Sequence, residues 1–150
     1  MRWYVGNTVA EYGPGAEEGG LDAAQVALRL APGDPLTHWR LGRLEQRDFG
    51  NAPIDAGVRH FAEAVELSPR DYRLWMDYGR ALEESGNISQ AEIALRRAIE
   101  LAPAYAYPRW YLGNLYLRAG RTDEAFTELR FAAESAPPLR GQVFSLALQV

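Results

Sequence analysis

Little in this chain could do covalent chemistry. There are two histidines, His38 and His60, and no spacing joins them to a metal-ligand set. Cysteine is absent, so there is no disulfide framework, no thiol nucleophile and no cysteine-bound metal. The glycine-rich stretch from Gly13 to Gly20 lacks the lysine and Ser/Thr of a phosphate-binding loop. The carboxylate pairs Glu17-Glu18 and Glu83-Glu84 are adjacent, and neighbours on a helix point apart, so they form solvated faces rather than an acid–base couple. No catalytic residue, metal site or cofactor is expected, and the chain is not expected to be an enzyme. Tryptophan, tyrosine and arginine are plentiful, the types enriched at binding hot spots. Binding is the chemistry these residues support.

Composition narrows the partners. The chain has 150 residues and a formal net charge of -4, and a nucleic-acid binder would be basic. All 16 basic residues are arginine, which accords with a GC-rich coding bias. No apolar run approaches the roughly 18–20 residues that span a bilayer. No signal-peptide core is visible at the N-terminus. A soluble segment is expected, cytoplasmic by default, with no nucleic acid and no direct membrane insertion.

Binding residues need elements to position them, and these recur. A small residue precedes proline at Ala31-Pro32, Ser68-Pro69, Ala102-Pro103 and Ala136-Pro137, with the prolines 37, 34 and 34 residues apart. In phase with them, Gly6, Gly42, Gly79 and Gly113 follow an aromatic by three or four residues. A period near 34 with two helices per unit indicates a helical solenoid. The unit from 72 to 105 is clearest. Its first helix carries Leu74, Trp75, Tyr78, Ala81 and Leu82 on one face, Gly86-Asn87 breaks it, and Asn87 with Gln90 suits a capping box for the second helix. That second helix carries Ala91, Leu95 and Ala98 and stops at Pro103. Units 1–34, 35–71 and 106–139 follow the same plan within one domain, with Asp34-Pro35 as cap and first-turn proline of the second. Three extra residues fall in its loop around Asp48 to Ile54. Glycine in mid-helix costs about 0.5–1 kcal/mol relative to alanine, so its recurrence in one phase implies close helix approach.

The pattern resembles the tetratricopeptide repeat. In the third unit the family positions are Trp75, Tyr78-Gly79, Leu82, Gly86, Ala91, Leu95, Ala98 and Pro103. In the fourth they are Leu112-Gly113, Tyr116, Gly120, Ala125, Leu129, Ala132 and Pro137. The second unit departs with Gly57 where the family prefers alanine, and the first is the most degenerate. The resemblance implies an all-α, right-handed α-α superhelix of antiparallel helix pairs, about nine helices in four repeats plus a C-terminal helix over 140–150. That last helix looks like the start of a fifth unit. It suggests a chain cut from a longer protein, or a surface that packs on another chain.

In this family the first helix of each pair lines a concave groove. Carried over by position, the groove set is Trp3, Asn7 and Glu11; Leu36, Trp39, Arg43 and Arg47; Arg73, Met76, Arg80, Glu83 and Glu84; Tyr107, Trp110, Asn114 and Arg118, with Phe144 continuing the row. An apolar ladder of Trp3, Trp39, Met76, Trp110 and Phe144 then runs beside a polar one of Asn7, Arg43, Arg80 and Asn114. Arginines outnumber glutamates in this set. The competing structural role is plain packing of the tryptophans, with Arg43 stacked on Trp39 and paired to Glu83 or Glu84. Chaperone-binding relatives clamp a C-terminal carboxylate with lysines and asparagines. Here the corresponding positions hold Trp3, Arg40 and Asp77 beside Asn7 and Arg73, so that ligand is not expected.

The resemblance implies a protein–protein interaction scaffold that takes a protein or peptide segment in its groove, one with acidic groups and apolar anchors. The alternative is a self-associating segment, a homo-oligomer through the C-terminal helix, in a larger, membrane-attached bacterial protein.

Overall fold

The computed structural model describes residues 20–47 and 55–148. The expected helix around Trp3 and Asn7, the loop over 13–19, the insertion over 48–54 and the side chain of Arg47 lie outside this description. Among the described residues the chain is all-helical. It comprises α1 (Gly20–Leu30), α2 (Pro35–Arg47), α3 (Ala56–Leu67), α4 (Tyr72–Glu84), α5 (Ile88–Leu101), α6 (Ala106–Arg118), α7 (Thr122–Ser135), a single 3-10 turn (Pro137–Leu139) and α8 (Arg140–Ala147).

The proline punctuation becomes one recurring turn. Asp34, Asp71, Tyr105 and Leu139 each donate their backbone N–H to the carbonyl of the small residue before proline, Ala31, Ser68, Ala102 and Ala136, at 2.9–3.2 Å. Two of these turns end in a cap. Asp34 Oδ2 accepts from Thr37 N at 2.9 Å, and Asp71 Oδ1 accepts from Arg73 N at 3.0 Å. Within the third and fourth units, Gly86 and Gly120 take positive φ of 84° and 73°. Each closes a Schellman motif. Asn87 N donates to Leu82 O and Gly86 N to Glu83 O, while Arg121 N donates to Tyr116 O and Gly120 N to Leu117 O. The tight glycine turn displaces the cap that follows it. Asn87 sits at the start of α5 with ψ near 62° and makes no side-chain cap bond, so the expected capping box is not formed.

Helices pair as α2 with α3, α4 with α5 and α6 with α7, and each pair packs on the next. The mid-helix glycines are where the partners of a pair meet. A Cβ on Gly79 would stand 2.7 Å from Leu95 Cγ, and one on Gly113 the same distance from Leu129 Cγ. The second unit solves this contact differently. Phe61 stands where the others have leucine, and a Cβ on Gly42 would meet its ring at 2.9 Å. A Cβ on Gly57 would come within 2.7 Å of Gly42 O, so the larger ring goes with a closer backbone approach that excludes the usual alanine. The interior is Leu82, Ala91, Leu95, Leu112, Leu115 and Tyr116 between the third and fourth units, continued by Ala64, Val65 and Leu74 on one side and by Ala106, Ala132 and Leu139 on the other.

Candidate functional site

Helix α4 packs directly on α6, whereas no comparable contact joins α3 to α5 or α5 to α7. The first helices of the third and fourth units therefore lie side by side. Between α4 and α6 opens a cleft of about 610 Å³, lined by Arg80, Glu83, Glu84 and Ile88 on one side and Trp110, Tyr111, Asn114 and Arg118 on the other. Six of the expected groove residues, Arg80, Glu83, Glu84, Trp110, Asn114 and Arg118, are thus brought together.

The wall is cross-linked along its length. Trp39 Nε1 donates to Asp77 Oδ2 at 2.7 Å, and Gln46 Nε2 to Glu84 Oε2 at 2.7 Å, tying α2 to α4. Arg118 Nε donates to Glu83 Oε1 at 2.7 Å, and the Arg80 guanidinium lies 4.8 Å over the Tyr111 ring, tying α4 to α6. Asp77 also accepts from Arg80 Nη1 at 3.3 Å. The anticipated excess of arginine is therefore largely balanced in place. Asp77 was absent from the expected groove set, and Arg118 and Arg80 each face a carboxylate. Arg43 differs. It is exposed, stacks on Trp39 at 4.9 Å as expected, and no carboxylate among the described residues pairs with it. Glu83 and Glu84, its anticipated partners, are taken by Arg118 and Gln46.

Both tryptophans pack on the interior, and Trp110 also lines the cleft. Trp39 rests on the Ala64–Val65–Leu74 cluster and Trp110 on Ala106, Ala132 and Leu139, yet both remain half-buried. Met76 packs on the central core. Asn114 Nδ2 donates to Trp110 O at 2.7 Å, within its own helix. Arg73 turns back onto Asp71, with Nη2 to Oδ2 at 2.6 Å, and sits at the start of α4 beside Tyr72 and Tyr105 rather than in the cleft. Tyr107 is exposed at the start of α6. Phe144 on α8 is 66% exposed. Trp3 and Asn7 lie outside the described residues. Asp77 and Tyr111 are the organising residues that sequence reasoning missed. Both stand one residue after the apolar ladder, at the position Arg40 holds in the second unit, and that register was the available signal.

Among the described residues no group of three or more His, Asp or Glu gathers in metal-holding geometry, and no helix is long and apolar enough to cross a membrane. The most perturbed carboxylate, Glu92, is engaged by Tyr116, Arg96 and Arg121 at the junction of α5, α6 and α7, away from the cleft.

Comparison with known proteins agrees with this architecture. Two curated relatives are each named "Peroxisomal targeting signal receptor". The one from Candida albicans is 29% identical over 109 residues, 73% of this chain and 18% of that protein. The one from Kluyveromyces lactis is 29% identical over 105 residues, 70% of this chain and 18% of that protein. The chain thus spans about a fifth of the length of these relatives. Among solved structures, TTC0263, a thermophilic TPR protein of Thermus thermophilus, matches with TM-score 0.78 and 23% identity over 98% of this chain and 80% of that one. MamA matches with TM-score 0.76 and 22% identity over 91% and 74%. The stacked pairs share with these the right-handed α-α superhelix. A family model of the tetratricopeptide repeat matches residues 46–106 and 85–139, and with most of its length so covered the chain belongs to the tetratricopeptide repeat family.

Proposed function

We propose that this domain is a protein-interaction scaffold whose concave wall receives an extended peptide segment with apolar anchors and acidic groups. The observation that carries this reading is the cleft between α4 and α6, where the half-buried Trp110 offers an apolar surface beside Asn114, Arg80 and Arg118. The guanidinium of Arg43, stacked on Trp39 and without a carboxylate among the described residues, supplies a cation at the neighbouring position of the wall. Trp39, Met76, Arg73 and Tyr107 extend the proposed surface along α2, α4 and α6, and Trp3, Asn7 and the side chain of Arg47, expected on it too, lie outside the described residues. The relatives named as targeting signal receptors fit a role in segment recognition. The test is a peptide array probed with wild type, Arg43→Glu/Arg80→Glu and Trp110→Ala, each first shown to be folded by its melting curve. The double variant is expected to lose acidic peptides by at least about tenfold, since reversing a cation at a binding surface makes it repel acids. Trp110→Ala is expected to weaken every peptide bound. Identical peptide sets and affinities for all three proteins would remove the groove assignment.

A second reading rests on α8. This helix buries none of its residues, and Phe144 and Leu148 are 66% and 73% exposed. Self-association through this surface is the alternative role, as a structural segment of a longer solenoid. Light scattering is expected to give a dimer or larger species for wild type and a monomer for Phe144→Ser/Leu148→Ser. A wild-type monomer at high concentration rejects it.

A further inference from the structure

The interior contact between the two helices of a pair is filled by different chemistry in each unit. Four residues before the mid-helix glycine stand His38, Trp75 and Arg109. The facing second helices place His60, Ala94 and Glu128 one residue before Phe61, Leu95 and Leu129. The third unit is therefore apolar here. The fourth holds an ion pair, Arg109 Nη1 to Glu128 Oε2 at 2.6 Å. The second holds two imidazoles whose Nδ1 atoms are 3.3 Å apart, with ring centres 5.5 Å apart.

The hydrogens of this pair can be counted. His38 Nε2 is 3.0 Å from Pro32 O. A carbonyl only accepts, so His38 Nε2 carries a hydrogen. The facing Nδ1 atoms then share one hydrogen, since two would abut. In the closed contact the two rings hold at most three of the four ring protons they carry when both are charged. His38 is buried, so water cannot relieve the clash. His60 Nε2 lies 3.6 Å from Glu45 Oε1, and the other oxygen of Glu45 is buried without a partner among the described residues. Burial is the largest influence on His60 and lowers its pKa below the ordinary histidine value. Glu45 and Glu63 pull against this, while His38 and Arg59 reinforce it. Asp34, at the start of α2, accepts from the Thr37 and Leu36 backbone. Among the described residues, no charged group of α1, which packs on α2, or of α4, which packs on α3, hydrogen-bonds to either ring.

We propose that the His38–His60 contact is a proton-operated latch. Mild acid, which charges both imidazoles, parts α2 from α3 and loosens the second repeat while the third and fourth stay closed. The sign follows from proton counting. Well below about pH 6.5 both imidazoles of the unfolded chain are charged and hold at least one proton more than the closed contact, so the latch stabilises above that pH and is lost as pH falls. The equivalent positions hold Trp75–Ala94 and the Arg109–Glu128 ion pair, with no imidazole at either. Helix α2 carries Trp39 and Gln46, the donors to Asp77 and Glu84, so the concave wall is released from its N-terminal end. The latch does not depend on what the wall binds.

The test uses the full chain. With only two histidines, both imidazoles can be followed individually by NMR while amide hydrogen exchange is measured from about pH 7.5 to about 5.0, corrected for intrinsic rates. Protection of α2 and α3 is expected to fall by up to about tenfold per pH unit for one linked proton, while α6 and α7 keep theirs. His38→Trp/His60→Ala, which borrows the pair of the third unit, is expected to abolish the dependence. Both imidazoles reaching full charge with α2 and α3 still protected would overturn the latch, and this wild-type result decides even if the variant fails to fold. A loss spread equally over all helices, or the same dependence in a folded variant, would overturn it too.

Discussion

Leu95→Ala is expected to destabilise the domain by about 2–5 kcal/mol, measured as a lower urea midpoint at unchanged slope. Leu95 is fully buried at the centre of the interior shared by α4, α5 and α6, among Leu82, Leu112, Leu115 and Tyr116. Its loss leaves a cavity that those side chains, fixed on α4 and α6, cannot close. The cost also depends on Gly79. A methyl group there would fall 2.7 Å from Leu95 Cγ and 3.2 Å from Ala91 O. In the wild type, Gly79→Ala is therefore expected to cost about 1–3 kcal/mol through overpacking, against about 1 kcal/mol gained in helix propensity. In the Leu95→Ala background the same methyl enters vacated space, and only the Ala91 carbonyl still crowds it. The double variant is then expected to be more stable than the sum of the single changes, by about 0.5–3 kcal/mol. Strict additivity would mean that the glycine is not kept small by the leucine.

This coupling also marks what could be seen in the residues alone. Proline at 32, 69, 103 and 137, and glycine at 42, 79 and 113, are local constraints. Each acts through turn geometry or a direct clash, so each leaves its mark at a fixed place in every unit. The Ala/Ser-Pro turns and the contacts of Gly79 and Gly113 follow from that. The wall of the cleft was legible only in part. Trp110, Asn114, Arg80 and Arg118 share a face by helical spacing, and they meet in one cleft. The charge balance of Arg118 and the cross-links of the wall did not follow, because their carboxylates come from another helix. Glu83 reaches Arg118 across 35 residues, and Asp77 receives Trp39 across 38. Such links depend on how one pair is rotated on the next, which no local pattern encodes. The same holds for His38 and His60, 22 residues apart on either side of a loop of irregular length. Asn87 failed in the opposite direction. Its local sequence favoured a cap, but the Schellman turn at Gly86 fixed its backbone first.

Glu92→Gln is expected to cost about 2–3 kcal/mol at neutral pH, because one carboxylate joins three helices. Its Oε1 accepts from Tyr116 Oη at 2.8 Å and from Arg96 Nε at 3.0 Å, and its Oε2 accepts from Arg121 Nη1 at 2.7 Å. Glu92 lies on α5, Tyr116 on α6, and Arg121 at the start of α7. Hydrogen bonds to a charged group contribute about 1.5–3 kcal/mol each, but not additively. The arginines are partly exposed, so solvent replaces much of what they lose. The bond from the buried Tyr116 carries the largest share, and Tyr116→Phe is expected to reproduce about half the loss. Burial alone would raise the pKa of Glu92. The hydrogen bonds from Arg121, Tyr116 and Arg96 outweigh it and hold the carboxyl at about 2, while burial and Glu92 push the Tyr116 hydroxyl up to about 12. A carboxylate depressed in the folded state stabilises fully above its ordinary value and loses that contribution as pH falls through the folded one. The stability gap between wild type and Glu92→Gln should therefore be constant from about pH 7 to about 5 and close between about pH 4.5 and 2. That window lies below the one in which the histidine pair acts, so the two linkages separate along one titration. A gap that persists unchanged at about pH 2 would assign the loss to the shape of the glutamine rather than to the missing charge.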